Sequence, residues 1–114
     1  MHFERNNLKD YAEPVSAKIL QVGTVYFSVQ FADYEMLIPI VQPWIFLGPN
    51  LSAEKRGLYF QDFGSHSRGI RFSSARKNQR HFFQIASPQG INHIFEFERA
   101  LDMLILCALR RKGS

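Results

Sequence analysis

The chain has 114 residues, of which 46% are apolar and 21% charged, and it carries a net charge of +4. That is one domain's length at ordinary globular composition, which excludes a disordered tail, a collagen-like fibre and a low-complexity linker. No apolar run reaches the roughly 20 residues that crossing a bilayer requires, and the longest, Leu101 to Leu109, is broken by Asp102.

Residues 1–7 have no apolar signal-peptide core, so no Sec export is expected. Asn7 to Glu13 reads as a short helix stopped before Pro14, because the residue before a proline leaves the helical region. Val15 to Gln21 reads as a first strand with Val15, Ala17 and Ile19 on one side. Val25 to Phe31 is the clearest strand. Val25, Phe27, Val29 and Phe31 face one way, and Tyr26, Ser28 and Gln30 the other.

Ala32 to Glu35 makes a turn, and Met36 to Val41 returns as the second arm of a hairpin, continued by Trp44 to Leu47. Pro39 lies inside that arm and cannot donate to a ladder, which predicts an edge position or a bulge. Gly48-Pro49-Asn50 forces a turn. Ser52 to Gly57 reads as a loop or a single helical turn with a Ser cap and a Gly stop.

Three β-like runs follow: Leu58 to Phe63, Gly69 to Ser73 and His81 to Ala86. Gly64 to Ser67 separates the first two as a hairpin loop would. Ser87-Pro88 is a helix opening, and from Ile91 the pattern is helical. Ile94, Phe97, Leu101, Leu104, Ile105 and Ala108 fall on one face. Arg110, Arg111 and Lys112 close the helix, where cations suit the dipole. Consecutive strands followed by one helix predict a single α+β domain over 1–114: an antiparallel meander of five or six strands packed in two layers against a long C-terminal helix.

Few residues suggest chemistry. Cys107, the single cysteine, predicts a reducing, cytoplasmic setting. A nucleophilic thiol needs a nearby cation or a helix N-terminus; near a helix C-terminus, Cys107 reads as a packing residue. His2, His66, His81 and His93 lack the i, i+4 spacing of a helical metal site, and no metal or cofactor is expected. Gly64 to Gly69 has the hydroxyls and glycines of a phosphate cradle, but it matches no phosphate-loop pattern and reads as a turn. Glu98 and Asp102 neighbour each other at i, i+4, which is more often a solvated flank than an acid–base pair.

Two surfaces remain. The segment from Gly64 to Phe83 carries Arg68, Arg71, Arg76, Lys77 and Arg80 without an acid, interleaved with His66, Phe72, His81 and Phe82. Cations for phosphates and aromatics for bases are the chemistry of single-stranded nucleic-acid binding. On the helix, Met103, Leu106 and Cys107 lie opposite the expected core stripe and form an apolar patch of the kind that marks association. The function expected is that of a small non-catalytic binding protein acting through protein association, as a homodimer or with a protein partner. An RNA- or single-stranded-DNA-binding module using the basic segment is the alternative.

Overall fold

Strand β1, Val25–Phe31, forms where the alternation places it in the computed structural model, which describes residues 13–113. It pairs antiparallel with β2, Pro39–Pro49, from Val25 opposite Ile45 to Phe31 opposite Pro39. β2 pairs with β3, Leu58–Asp62, and β3 with β4, Phe83–Ala86. A two-residue strand β5, Ile94–Phe95, returns to the free side of β1. The result is a five-stranded antiparallel sheet in the order β4-β3-β2-β1-β5, followed by the helix α2, Phe97–Gly113. The α+β class and the antiparallel sheet are those expected.

Several boundaries differ. Val15 to Gln21 is not a strand: Ala17–Ile19 is a 3-10 turn capped by the Ser16 side chain. Gly64 to Ser67 is not a hairpin loop but the body of a short helix α1, Phe63–Ser67. The Asp62 carboxylate accepts from Ser65 N at 2.9 Å, an N-cap that turns the chain out of β3. Gly69 to Ser73 forms no strand; Phe72–Ser74 and Lys77–Phe82 are 3-10 turns. The β3 edge is taken instead by β4, whose Phe83 and Ile85 lie opposite Gln61 and Tyr59. After a 3-10 turn at Pro88–Gly90, the aromatic and β-branched pair Ile94–Phe95 goes to the sheet edge, so the helix starts at Phe97, not Ile91. The helix expected at 7–13 falls outside the described residues, apart from Glu13.

Pro39 and Pro43 are placed by the register. Both sit opposite odd-numbered β1 residues, and β3 reaches only as far as Trp44. The prolines therefore lie in a stretch of β2 that is paired on one side only, which is where a missing N–H is tolerated. A bulge between Phe46 and Gly48 follows.

Hydrophobic clusters occupy both faces of the sheet. Tyr26, Phe46, Leu58, Phe60 and Ile94 are buried on one face with Val15 and Ile91. Val29, Phe95 and Ala100 form the other, with Phe27, Phe31 and Met103 packed against them. α2 thus meets the sheet through Ala100, Met103 and Cys107 rather than through Leu101, Leu104 and Ile105, which are half-buried. The small side chains of Ala100 and Cys107 let the helix backbone approach the sheet, a steric criterion that an apolar stripe alone does not contain.

Candidate binding surfaces and groove

The helix patch is not the outward surface expected. Cys107 is buried, and its thiol donates to the carbonyl of Met36 at 3.4 Å. Met103 packs on the cluster around Val29, and Leu106 is half-buried. With Met103 and Cys107 turned to the sheet and hairpin, the three residues do not make one exposed apolar face.

The basic segment folds as an excursion between β3 and β4. Gln61, fully buried, holds it: its amide donates to Ser65 Oγ at 3.0 Å and to Ile70 O at 2.8 Å. Arg71 is occupied, donating to His66 O and Ile70 O at 2.8 and 2.9 Å. Arg68, Arg76, Lys77 and Arg80 are exposed and enter no ion pair among the described residues. The aromatics are engaged. Phe72 stacks edge-on between Tyr59 and Phe83, and Phe82 has the Arg68 guanidinium on one side and His81 beside it.

The β1–β2 hairpin carries an apolar surface that strand alternation hides, because its residues alternate between faces. Tyr34 is fully exposed, and Met36, Ile38, Ile40 and Val41 are 44%, 57%, 52% and 42% exposed. The arm is held at its tip. Asp33 caps the turn by accepting from Leu37 N and Ile38 N, and α2 clamps it as Arg110 Nε and Arg111 Nη1 donate to the carbonyls of Met36 and Leu37. Glu35 at the tip and Lys112 at the helix end are exposed charges of opposite sign without an ion pair among the described residues.

A groove of about 420 Å³ runs over the sheet face opposite α2. The register places Ser28, Gln42, Trp44 and Ile94 side by side on it, and the 3-10 turn at Pro88–Gly90 with His93 forms one wall. Its polar floor is fixed by hydrogen bonds. Trp44 Nε1 donates to Ser28 Oγ at 3.0 Å, Ser28 Oγ to Gln42 O at 3.4 Å, and Gln42 Nε2 to Asp62 Oδ1 at 3.0 Å. Burial pushes the His93 imidazole below its ordinary 6.5, favouring the neutral ring. The Ser28 hydroxyl is committed to Trp44 and a backbone carbonyl.

No sequence signal marked this groove. Its members come from all five strands and the turn before β5, and only the sheet register brings them together. Among the described residues no group of three or more His, Cys, Asp or Glu side chains converges to hold a metal ion, and no helix is long and apolar enough to cross a membrane. No protein-family model, curated protein or solved structure matches the chain.

Proposed function

We propose that the protein is a non-catalytic binding protein that acts through protein association, as a homodimer joined through the β1–β2 hairpin. The carrying observation is the exposure of Ile38 and Ile40, two residues apart on one face of the arm, with Tyr34 and Met36 at its turn; Val41, opposite Val29, faces the other way. Apolar side chains grouped in this way mark association surfaces on soluble domains. A standard interface buries about 800 Å² on each partner, with an apolar centre and a polar rim. The arm supplies the centre; Glu35 and Lys112 supply a rim of both signs, which a two-fold contact needs because one patch must complement itself. The association is through side chains. Pro39 and Pro43 remove the N–H donors that a partner strand would need along this stretch of β2.

Sedimentation across a concentration series tests the reading. The expected result is a dimer that grows in with concentration, and a monomer for the Ile38→Lys, Ile40→Lys double variant with unchanged circular dichroism. A wild-type chain that stays monomeric throughout removes the dimer.

The five exposed cations of the excursion, four of them without a backbone carbonyl partner among the described residues, favour a second reading, a single-stranded nucleic-acid surface. It is the weaker one, because Phe72 and Phe82 are already stacked within the protein. Anisotropy with a labelled oligonucleotide at low salt decides it: binding that weakens with salt and is lost in the Arg76→Ala, Lys77→Ala, Arg80→Ala variant supports it.

A further inference from the structure

We propose that the groove over the sheet face is a binding site for a neutral saccharide of one or two rings. This goes beyond the association reading, although the two surfaces adjoin where Gln30 of the groove lies opposite Ile40 of the arm. Its volume of about 420 Å³ lies within the roughly 300–1,000 Å³ of small-ligand sites.

The lining selects the class. Among the described residues it contains no Arg, Lys, Asp or Glu, so these offer neither a cation for a phosphate or carboxylate nor a free carboxylate for an amine. Asp62, beside the floor and opposite Trp44, is spent on Gln42 Nε2 and on the N-cap of α1. What faces the groove is a set of neutral polar groups: the amides of Gln30 and Gln84 and the neutral ring of His93, which both donate and accept, and Gln42 Oε1, which accepts. Gln42 Oε1 has no protein partner yet is not sealed from solvent, and the same holds for the His93 ring nitrogens. Sugar hydroxyls are their match, since each also donates and accepts.

Trp44 supplies the apolar half. The face of an indole carries negative charge and the C–H groups of a pyranose ring carry positive charge, so the two stack. Trp44 is locked for this by its bond to Ser28 Oγ, which removes one rotor from the cost of binding. The glutamines extend from β1, β2 and β4, so they reach hydroxyls at separated positions around a ring or across two rings.

The chain has a single tryptophan, so its indole N–H resonance reports on this groove alone. Isotope-labelled full-length protein is titrated with maltose, cellobiose, lactose and diacetylchitobiose, with adenosine as a flat neutral comparator and a sugar phosphate as a charged one. The expected result is saturable shifts of the Trp44 indole and of the Gln30 and Gln84 side-chain amides with at least one disaccharide, and no tighter binding of the sugar phosphate. Gln30 and Gln84 are exposed, so Gln30→Ala and Gln84→Ala leave the fold intact and each weakens binding about tenfold. Gln84→Ala, on β4 and away from the hairpin arm, keeps the oligomeric state of the wild type. The proposal is overturned if no disaccharide moves the indole signal, if adenosine binds in their place, or if both variants bind as the wild type does.

Discussion

The thiol of Cys107 donates to the backbone carbonyl of Met36 at 3.4 Å, joining positions 71 apart in the chain. The same carbonyl accepts from Arg110 Nε at 3.1 Å. Met36 holds a left-handed backbone, with φ of 58°, that turns its carbonyl toward the helix. A non-glycine residue in that region costs about 1–2 kcal/mol, so the two donors offset a local strain and fix the roll of α2 on the sheet. Cys107 is therefore expected to react slowly with a thiol reagent in the native state and at once in denaturant. Cys107→Ser, which keeps a donor, should cost about 1 kcal/mol. Stoichiometric labelling of the folded protein within seconds contradicts this placement.

The two faces of the sheet do not contribute equally to stability. Phe60 is 2% exposed and contacts Phe46 with ring centroids 5.2 Å apart. Phe27 is only half-buried, and its ring partner Phe97 is 56% exposed. Phe60→Ala is expected to cost about 3–5 kcal/mol, and Phe27→Ala about 2 kcal/mol. Denaturant melts check the order; a larger loss at Phe27 places the principal core on the α2 side.

Elements whose side chains alternate strictly were legible in the sequence. Val25 to Phe31 is one. Pro39, read as marking an edge strand or a bulge, instead lies in the central strand β2, in the stretch that β3 does not reach, and the bulge falls between Phe46 and Gly48. The face of α2 was not legible. Leu101 to Leu109 is apolar on nearly every side, so periodicity cannot choose between two stripes, and backbone approach at Ala100 and Cys107 decides instead. The excursion from Phe63 to Phe82 escaped for a different reason. Its organiser is Gln61, a polar residue in a β-like run, whose full burial becomes intelligible only once Ser65 and Ile70 are seen to accept from it. The groove had no local signal, since Gln30, Gln42 and Gln84 are brought together by strand register.

Gly57 precedes β3 and holds φ of +154°. A Cβ there would sit 2.9 Å from the backbone oxygen of Ala86 and 2.9 Å from Ile85 Cγ2. Its N–H donates to Asn50 Oδ1 at 2.8 Å and its carbonyl accepts from Asn50 N at 2.7 Å, so the backbone cannot relax without losing the turn that closes β2 onto β3. Gly57→Ala is expected to destabilise by about 1–3 kcal/mol. Gly69, at φ of +92° with nothing within 4 Å of its would-be Cβ, is the control: the same change there carries backbone strain alone and should cost less. Equal losses at the two sites in thermal melts mean that the contact with β4 contributes nothing.

His93 ties protonation to folding. Its carbonyl accepts from Val29 N at 3.0 Å, which holds the β5 segment against β1, and burial lowers its imidazole below the ordinary 6.5. In the unfolded chain the ring takes up a proton near 6.5, whereas in the folded chain it does so only at lower pH. Between those two values the unfolded state binds more protons, so stability rises with pH across the window and is lost as pH falls through it. Above the unfolded value both states are neutral and His93 contributes no slope. Denaturant unfolding over a pH series should show a decline beginning below 6.5 that His93→Asn reduces, the asparagine keeping polarity without a titrating ring. Carboxylates add their own slope at lower pH in both proteins, so the difference between the two curves is the quantity to read. If that difference is flat between neutral pH and 5, the folded His93 ring titrates like a free one and its burial has no energetic consequence.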